Sequence, residues 1–223
     1  MKQFKKMFVF ALVCVAFPLA AQSGDGWDNA AIDGTGDYPS NGWAYGFGAE
    51  YMGTSSNWAP DGKMETGGIG FLLHMSWLNA DSIGFFLKTH QGIIRSVKTG
   101  TSSSTTDMSS SYPDSMGVDI ALGPNWTFKL AEANYLELGV GPMVNMASAM
   151  KTTYSVGSPK PILVVAAGIH GEAAYYLSFK NGFGLFVTGA AEYGFAPLYS
   201  SADAKDLTSL SIGAGLSIMP SWF

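Results

Sequence analysis

Three histidines are the side chains of this chain best placed to act as bases near neutral pH, and two of them stand two residues from a partner, in His74-x-Ser76 and His170-x-Glu172. In an extended segment residues at i and i+2 share a face. His-x-Ser would let an imidazole take a proton from a hydroxyl and so prepare a nucleophile. His-x-Glu, with His74 brought across from another segment, offers the nitrogen and oxygen ligands of a transition metal. Neither pair is complete: the first lacks a fixed third group to orient its base, and the second needs distances that spacing does not supply. The acidic residues Asp25, Asp28, Asp33 and Asp37 could ligate calcium, but their spacing is not that of an EF-hand and no Glu closes it. The one cysteine, Cys14, lies in the leader described below, so neither a thiolate nucleophile nor a disulfide is expected.

Charge and composition exclude other classes. Charged residues make up 13% of the chain against roughly 25% in an average soluble domain. Aromatic and aliphatic content is too high for a disordered chain. Residues 1–21 carry Lys2, Lys5 and Lys6, the apolar run Met7–Ala20, and small residues at the end, which is the three-part pattern of a cleaved signal peptide. The run is shorter than the ~20 residues a spanning helix needs. Without those lysines nine basic residues face 17 acidic ones, a net charge near −8 with no basic patch, so nucleic acid is not an expected partner. Residues 22–42 form a Gly- and Asp-rich segment without periodicity, and 43–223 read as one domain.

That domain is written almost throughout in a period of two. Trp43, Tyr45, Phe47, Ala49 and Tyr51 alternate with Ala44, Gly46, Gly48, Glu50 and Met52. The same alternation returns in Thr66–Leu78, Ser82–Arg95, Gly117–Phe128, Tyr135–Met146, Pro161–Ser178, Phe183–Ala196 and the closing stretch from Leu207. Between them, Thr54–Lys63, Ser96–Ser115, Ala147–Lys160 and Pro197–Asp206 read as the longer loops, alternating with tight connections at Asn79-Ala80-Asp81, Lys129–Asn134 and Lys180-Asn181-Gly182. Pro124 and Pro142 fall inside strands, where each removes a ladder bond, and are expected at bulges or strand ends. Counting back from Phe223 by twos gives Ser221, Met219 and Ser217, so either Pro220 marks a bulge that shifts the register or the final strand departs from the barrel pattern.

Eight such strands, alternately short and long connections and a final strand ending on Phe223 resemble the small bacterial outer-membrane barrels of the OmpA, OmpX and OmpW kind. The resemblance implies an all-β, eight-stranded antiparallel up-and-down transmembrane barrel. It also implies export to the outer membrane of a double-membraned bacterium, with short turns and both termini in the periplasm and the long loops outside. Phe223 would be the signal read by the outer-membrane assembly machinery, and outer-membrane lipid would surround the barrel. Trp43, Trp77, Trp126 and Trp222 fall at the short-turn ends of outward faces, where an aromatic girdle belongs, with Tyr51, Tyr193 and Phe195 at the other interface.

The inward faces would then gather Glu50, His74, Lys88, His90, Asp119, Glu137, His170, Glu172 and Glu192 into one lumen. An eight-stranded interior is just wide enough for its own side chains, and buried charges must be paired. A charged plug is therefore the expected reading, with a structural or surface-interaction role carried by exposed loops that meet host or extracellular ligands. Five carboxylates against one lysine leave an excess of negative charge, and the inward glycines leave room, so a narrow porin-like path for small solutes or small hydrophobic molecules is the alternative. His74-x-Ser76 resembles the His-x-Ser of outer-membrane lipid A deacylases, but it faces inward near the periplasmic end and its flanks do not match. No enzyme, no cofactor and no metal is expected.

Overall fold

The computed structural model describes residues 41–58, 62–79, 81–101, 103–131, 134–150, 161–179, 182–201 and 203–219. The signal segment 1–21, most of the 22–42 segment, Pro220, Trp222 and Phe223 lie outside the described residues. Among the described residues nine strands are formed: β1 (Asn41–Trp58), β2 (Gly62–Asn79), β3 (Ile83–Thr101), β4 (Ser104–Asp107), β5 (Met116–Ala131), β6 (Asn134–Ala149), β7 (Ile162–Ser178), β8 (Phe183–Ser200) and β9 (Leu207–Ile218). Eight of them form a closed antiparallel barrel in which each pairs with its neighbour in sequence and β9 returns to β1. The ninth, β4, is a short hairpin arm on the end of β3, rung to rung from Lys98 with Asp107 to Thr101 with Ser104. The expected eight-stranded up-and-down barrel is the fold observed.

Inside and outside follow the alternation along most of the strand length. On β8, Gly184, Phe186, Thr188, Ala190, Glu192 and Gly194 are buried while Leu185, Val187, Ala191, Tyr193 and Phe195 are exposed. Exposed Ile69, Phe71, Ile83, Phe85, Ile120, Leu122, Leu138, Ile169, Leu185, Val187, Leu210, Ile212 and Leu216 make the outer wall an apolar belt. Tyr45, Leu73 and Met75 share the outward parity yet are buried.

The strands run further than the apolar alternation does. Thr54–Lys63, read as a loop, is mostly strand: β1 continues to Trp58, β2 resumes at Gly62, and Ser55, Ser56 and Asn57 pair with Glu65, Met64 and Lys63. Polar side chains can flank a ladder wherever water solvates them, so the hydrogen bonds continue after the hydrophobic pattern has stopped. The described residues of the stretch read as the loop Ser96–Ser115 likewise carry regular structure. The hairpin arm leads into a single 3-10 turn at Ser109–Ser111, the Met108 N–H bonds to the Val97 carbonyl at 2.8 Å, and Tyr112 is buried. The Ser109 hydroxyl and N–H both donate to the Asp107 carboxylate and hold it below the usual carboxylate range. The connection expected over Lys129–Asn134 is mostly strand, with β5 reaching Ala131 and β6 starting at Asn134, whereas the described residues of the other two tight connections keep their turn features. Asn79 Oδ1 accepts from the N–H groups of Asp81 and Ser82, and Gly182 takes φ 71°, left-handed backbone that suits glycine.

Pro124 and Pro142 need neither a bulge nor a strand end. The β5–β6 ladder is in register at Ala121 with Met143 and again at Asn125 with Gly139, without a shift between. The two prolines share that one unrunged interval, so the missing donors fall in a single gap. Gly123 and Gly141 face each other across it, and a Cβ on either would meet the partner strand's backbone. The register shifts lie elsewhere, at Gly67/Gly68, Lys129/Ala131, Val165/Ala166 and Ala167/Gly168.

Gly141→Ala should therefore cost on the order of 1–3 kcal/mol by forcing β5 and β6 apart. Gly171, whose Cβ position has nothing within 4 Å, should accept Ala with no loss or a gain of about 0.4–1 kcal/mol. Urea unfolding of both variants in detergent micelles measures the contrast.

Candidate functional site in the barrel interior

Seven strands contribute an ionisable group to the lumen and an eighth contributes hydroxyls. The groups are Glu50 from β1, His74 from β2, Lys88 and His90 from β3, Asp119 from β5, Glu137 from β6, His170 and Glu172 from β7, and Glu192 from β8, all buried. Ser209 and Ser211 of β9 complete the ring. All stand on the inward parity of their strands, so closure of the barrel is what brings them together.

They divide into two connected groups. In the larger, Glu172 lies between two imidazoles: Oε1 is 2.7 Å from His74 Nε2 and Oε2 is 3.1 Å from His170 Nε2. Each ring is held at its other nitrogen, His170 Nδ1 at 2.9 Å from Glu192 Oε1 and His74 Nδ1 at 2.8 Å from the Tyr176 hydroxyl. Tyr176 also reaches Glu137 Oε2 at 3.1 Å, and Glu137 Oε1 accepts from Ser76 at 2.7 Å and from Asn125 at 2.6 Å. At the far end Glu192 Oε2 accepts from Asn145 and Ser209. The result is one unbroken chain of hydrogen bonds from Asn125 to Ser209.

In the smaller group Lys88 Nζ stands 2.6 Å from Glu50 Oε1, and His90 Nδ1 stands 2.9 Å from Glu50 Oε2. Neither Glu50 oxygen makes an aligned hydrogen bond, so these are close contacts more than directed bonds. Lys88 donates in addition to Ser211 at 3.1 Å. Asp119 accepts the His90 backbone N–H through Oδ1 at 3.1 Å, and its Oδ2 is buried with no hydrogen bond.

Apolar groups take the space left by the inward glycines. A Cβ at Gly46 would meet the Phe186 ring, one at Gly139 the Phe86 ring, and one at Gly213 the Leu72 side chain. Phe86 lies nearly parallel to His74 with ring centroids 6.3 Å apart, and 5.6 Å from His170. Toward the short turns the interior is filled by Ala44, Leu78, Tyr135, Ala174, Tyr176, Phe186 and Met219. Toward the other end it is filled by Met64, Ile94, Val97, Tyr112, Ala147, Val164 and Leu207.

His74 and Ser76 do not act on each other: both are buried, and the Ser76 hydroxyl donates to Glu137 while accepting from Asn125. On the outer wall Trp43 pairs with Trp77 across β1 and β2, with rings 5.4 Å apart in a T-shaped contact, and Trp126 is exposed opposite Ile83. Trp222 and Phe223 lie outside the described residues. The charged members of the lumen stand out in the sequence, but the bridging role of Tyr176, Asn125, Asn145 and Ser209 does not. Their inward parity was the available signal.

No protein-family model matches the chain, and no curated protein matches its sequence. Solved structures match its fold. Neisserial surface protein A superposes with a TM-score of 0.50 at 10% identity, covering 78% of this chain and 97% of that one. The outer membrane protein OprG from Pseudomonas aeruginosa superposes with a TM-score of 0.52 at 11% identity, covering 82% of this chain and 97% of that one. At such identities the likeness is one of fold, the small eight-stranded barrel.

Lys88→Met should destabilise the barrel by about 3–5 kcal/mol, because it leaves Glu50 buried without its cation. Adding Glu50→Gln should recover much of that loss. A double-mutant cycle by urea unfolding in micelles reads the coupling directly.

Proposed function

We propose that this protein is an integral outer-membrane barrel whose interior is a closed charged plug, and whose work is done at the end carrying the hairpin arm. The observation that carries the reading is the lumen itself: paired charges packed against Phe86 and Phe186, with apolar clusters on both sides. A water path would have to break those pairs and displace the rings. The apolar outer belt supports membrane insertion, since a soluble monomer does not leave so large an apolar surface in water.

At the end opposite the short turns the strands project as a fastened rim. Asn57 and Ser56 of β1 bond to Asp206, the Lys205 N–H bonds to the Asn57 carbonyl at 2.7 Å, and Ser201 exchanges hydrogen bonds with Leu163. The Ser- and Thr-rich arm β3–β4 stands out from this rim with most of its side chains exposed. A rigid scaffold presenting polar loops is a usual form of recognition surface, and host or extracellular ligands are the proposed partners. The burial of Ser76 and its bonds to Glu137 and Asn125 support a role other than catalysis.

Single-channel recording in a planar bilayer tests the plug, with heat-modifiable gel migration as the check of folding. The refolded barrel should give no discrete openings. Openings that change in conductance or selectivity with Lys88→Ala or Glu172→Gln would overturn the plug and favour the porin-like reading.

A further inference from the structure

We propose that the lumen holds one divalent transition-metal ion between His74, Glu137 and Glu172. Each of these buried residues offers one ligand atom, and the three atoms lie within 4.8 Å of one another. Imidazole nitrogen with carboxylate oxygen is a donor set for zinc and its first-row neighbours, whereas magnesium or calcium would ask for oxygen alone.

The surroundings are those of a ligand site. In metal centres a ligating histidine is fixed by a bond from its other ring nitrogen, and ligating carboxylates are themselves bonded. Here His74 Nδ1 is held by the Tyr176 hydroxyl at 2.8 Å, and Glu137 is held by Ser76, Asn125 and the same Tyr176. His170, 3.1 Å from the second oxygen of Glu172 and anchored on Glu192, positions that carboxylate from behind. The charge inventory points the same way. Among the described residues, five buried carboxylates share the lumen with one lysine and three imidazoles. A divalent ion adds positive charge where Glu137, Glu172 and Glu192 meet His74 and His170. Binding replaces the proton shared between His74 Nε2 and Glu172 by the cation, and that proton leaves to solvent. Since apolar clusters fill the interior at both ends, the ion enters as the barrel closes during folding.

The test is to refold the chain lacking residues 1–21 from urea into detergent micelles with Co²⁺ or Zn²⁺ and remove free metal by gel filtration. Retained metal is then counted, with the visible spectrum of the Co²⁺ form reporting its ligands. The expected result is about one ion per folded chain, lost in Glu172→Gln and in Glu137→Gln, and retained in Glu65→Gln, a control whose carboxylate pairs with Lys63 away from the cluster. Tyr176→Phe, which keeps the ring and removes the hydroxyl, should weaken retention about 10–100-fold. Folding of every variant is checked by heat-modifiable migration. A folded wild-type barrel that keeps no metal, or a Glu172→Gln and Glu137→Gln pair that keep it as well as wild type, overturns the site. An empty barrel that is also silent in a bilayer would leave the closed-scaffold reading standing. A metal-loaded barrel that conducts would do the reverse.

Discussion

Every backbone N–H and C=O that enters an apolar layer must find its partner within the protein, because the surroundings offer none. In this chain that requirement is met by one closure, the pairing of β9 with β1 from Ile218 with Tyr45 to Thr208 with Ser55. Without those rungs β1 and β9 would be bare edges. With them the sheet has an inside and an outside, and the period of two, interrupted only at the register shifts, sends alternate side chains to each. The charged lumen and the apolar belt are two consequences of the same closure.

A narrow interior then sets the chemistry within it. Eight strands enclose little more than their own side chains, so a charge on one strand necessarily lies close to residues from strands opposite. Glu172 and His74 are 98 positions apart in sequence and 2.7 Å apart in space. Glycines supply the volume that the rings need. Gly46 accommodates Phe186 and Gly139 accommodates Phe86, and where Gly123 faces Gly141 the backbones themselves draw together beside the two prolines.

Parity was legible from residue types alone. Glu50, Lys88, Asp119 and Glu192 each lie within an alternating run whose other face is apolar, so their inward placement needed no knowledge of the partner strands. The partners were not legible. Which imidazole nitrogen meets which carboxylate depends on register and on how strands are staggered around the barrel, and a single residue of slip would pair different groups. Hydrophobic pattern also misjudged length: it ends near Met52 on β1, while the ladder, which needs only backbone groups, continues to Trp58. The proline gap was hidden for a related reason. Pro124 and Pro142 appear as two separate faults in the sequence, and only antiparallel pairing of β5 with β6 lets them share one.

Why the lumen is charged at all is a question that packing alone does not answer. Buried ion pairs seldom outperform apolar side chains of the same volume, because desolvation offsets much of their attraction. A plug of leucine and phenylalanine would close this barrel at least as firmly, as the clusters around Tyr135 and Tyr112 already do at its two ends. One reason for polarity applies to any barrel exported through water: strands apolar on both faces would associate before they could pair correctly, and an inward polar face suppresses that. Serine, threonine and asparagine would satisfy this condition without a full charge. The centre instead carries carboxylates in excess of its cations, with imidazoles aimed at one of them and anchored from behind. That composition exceeds what closure of the barrel requires, and a bound cation is the simplest chemical reason for an acid-rich, histidine-bearing centre in so confined a space.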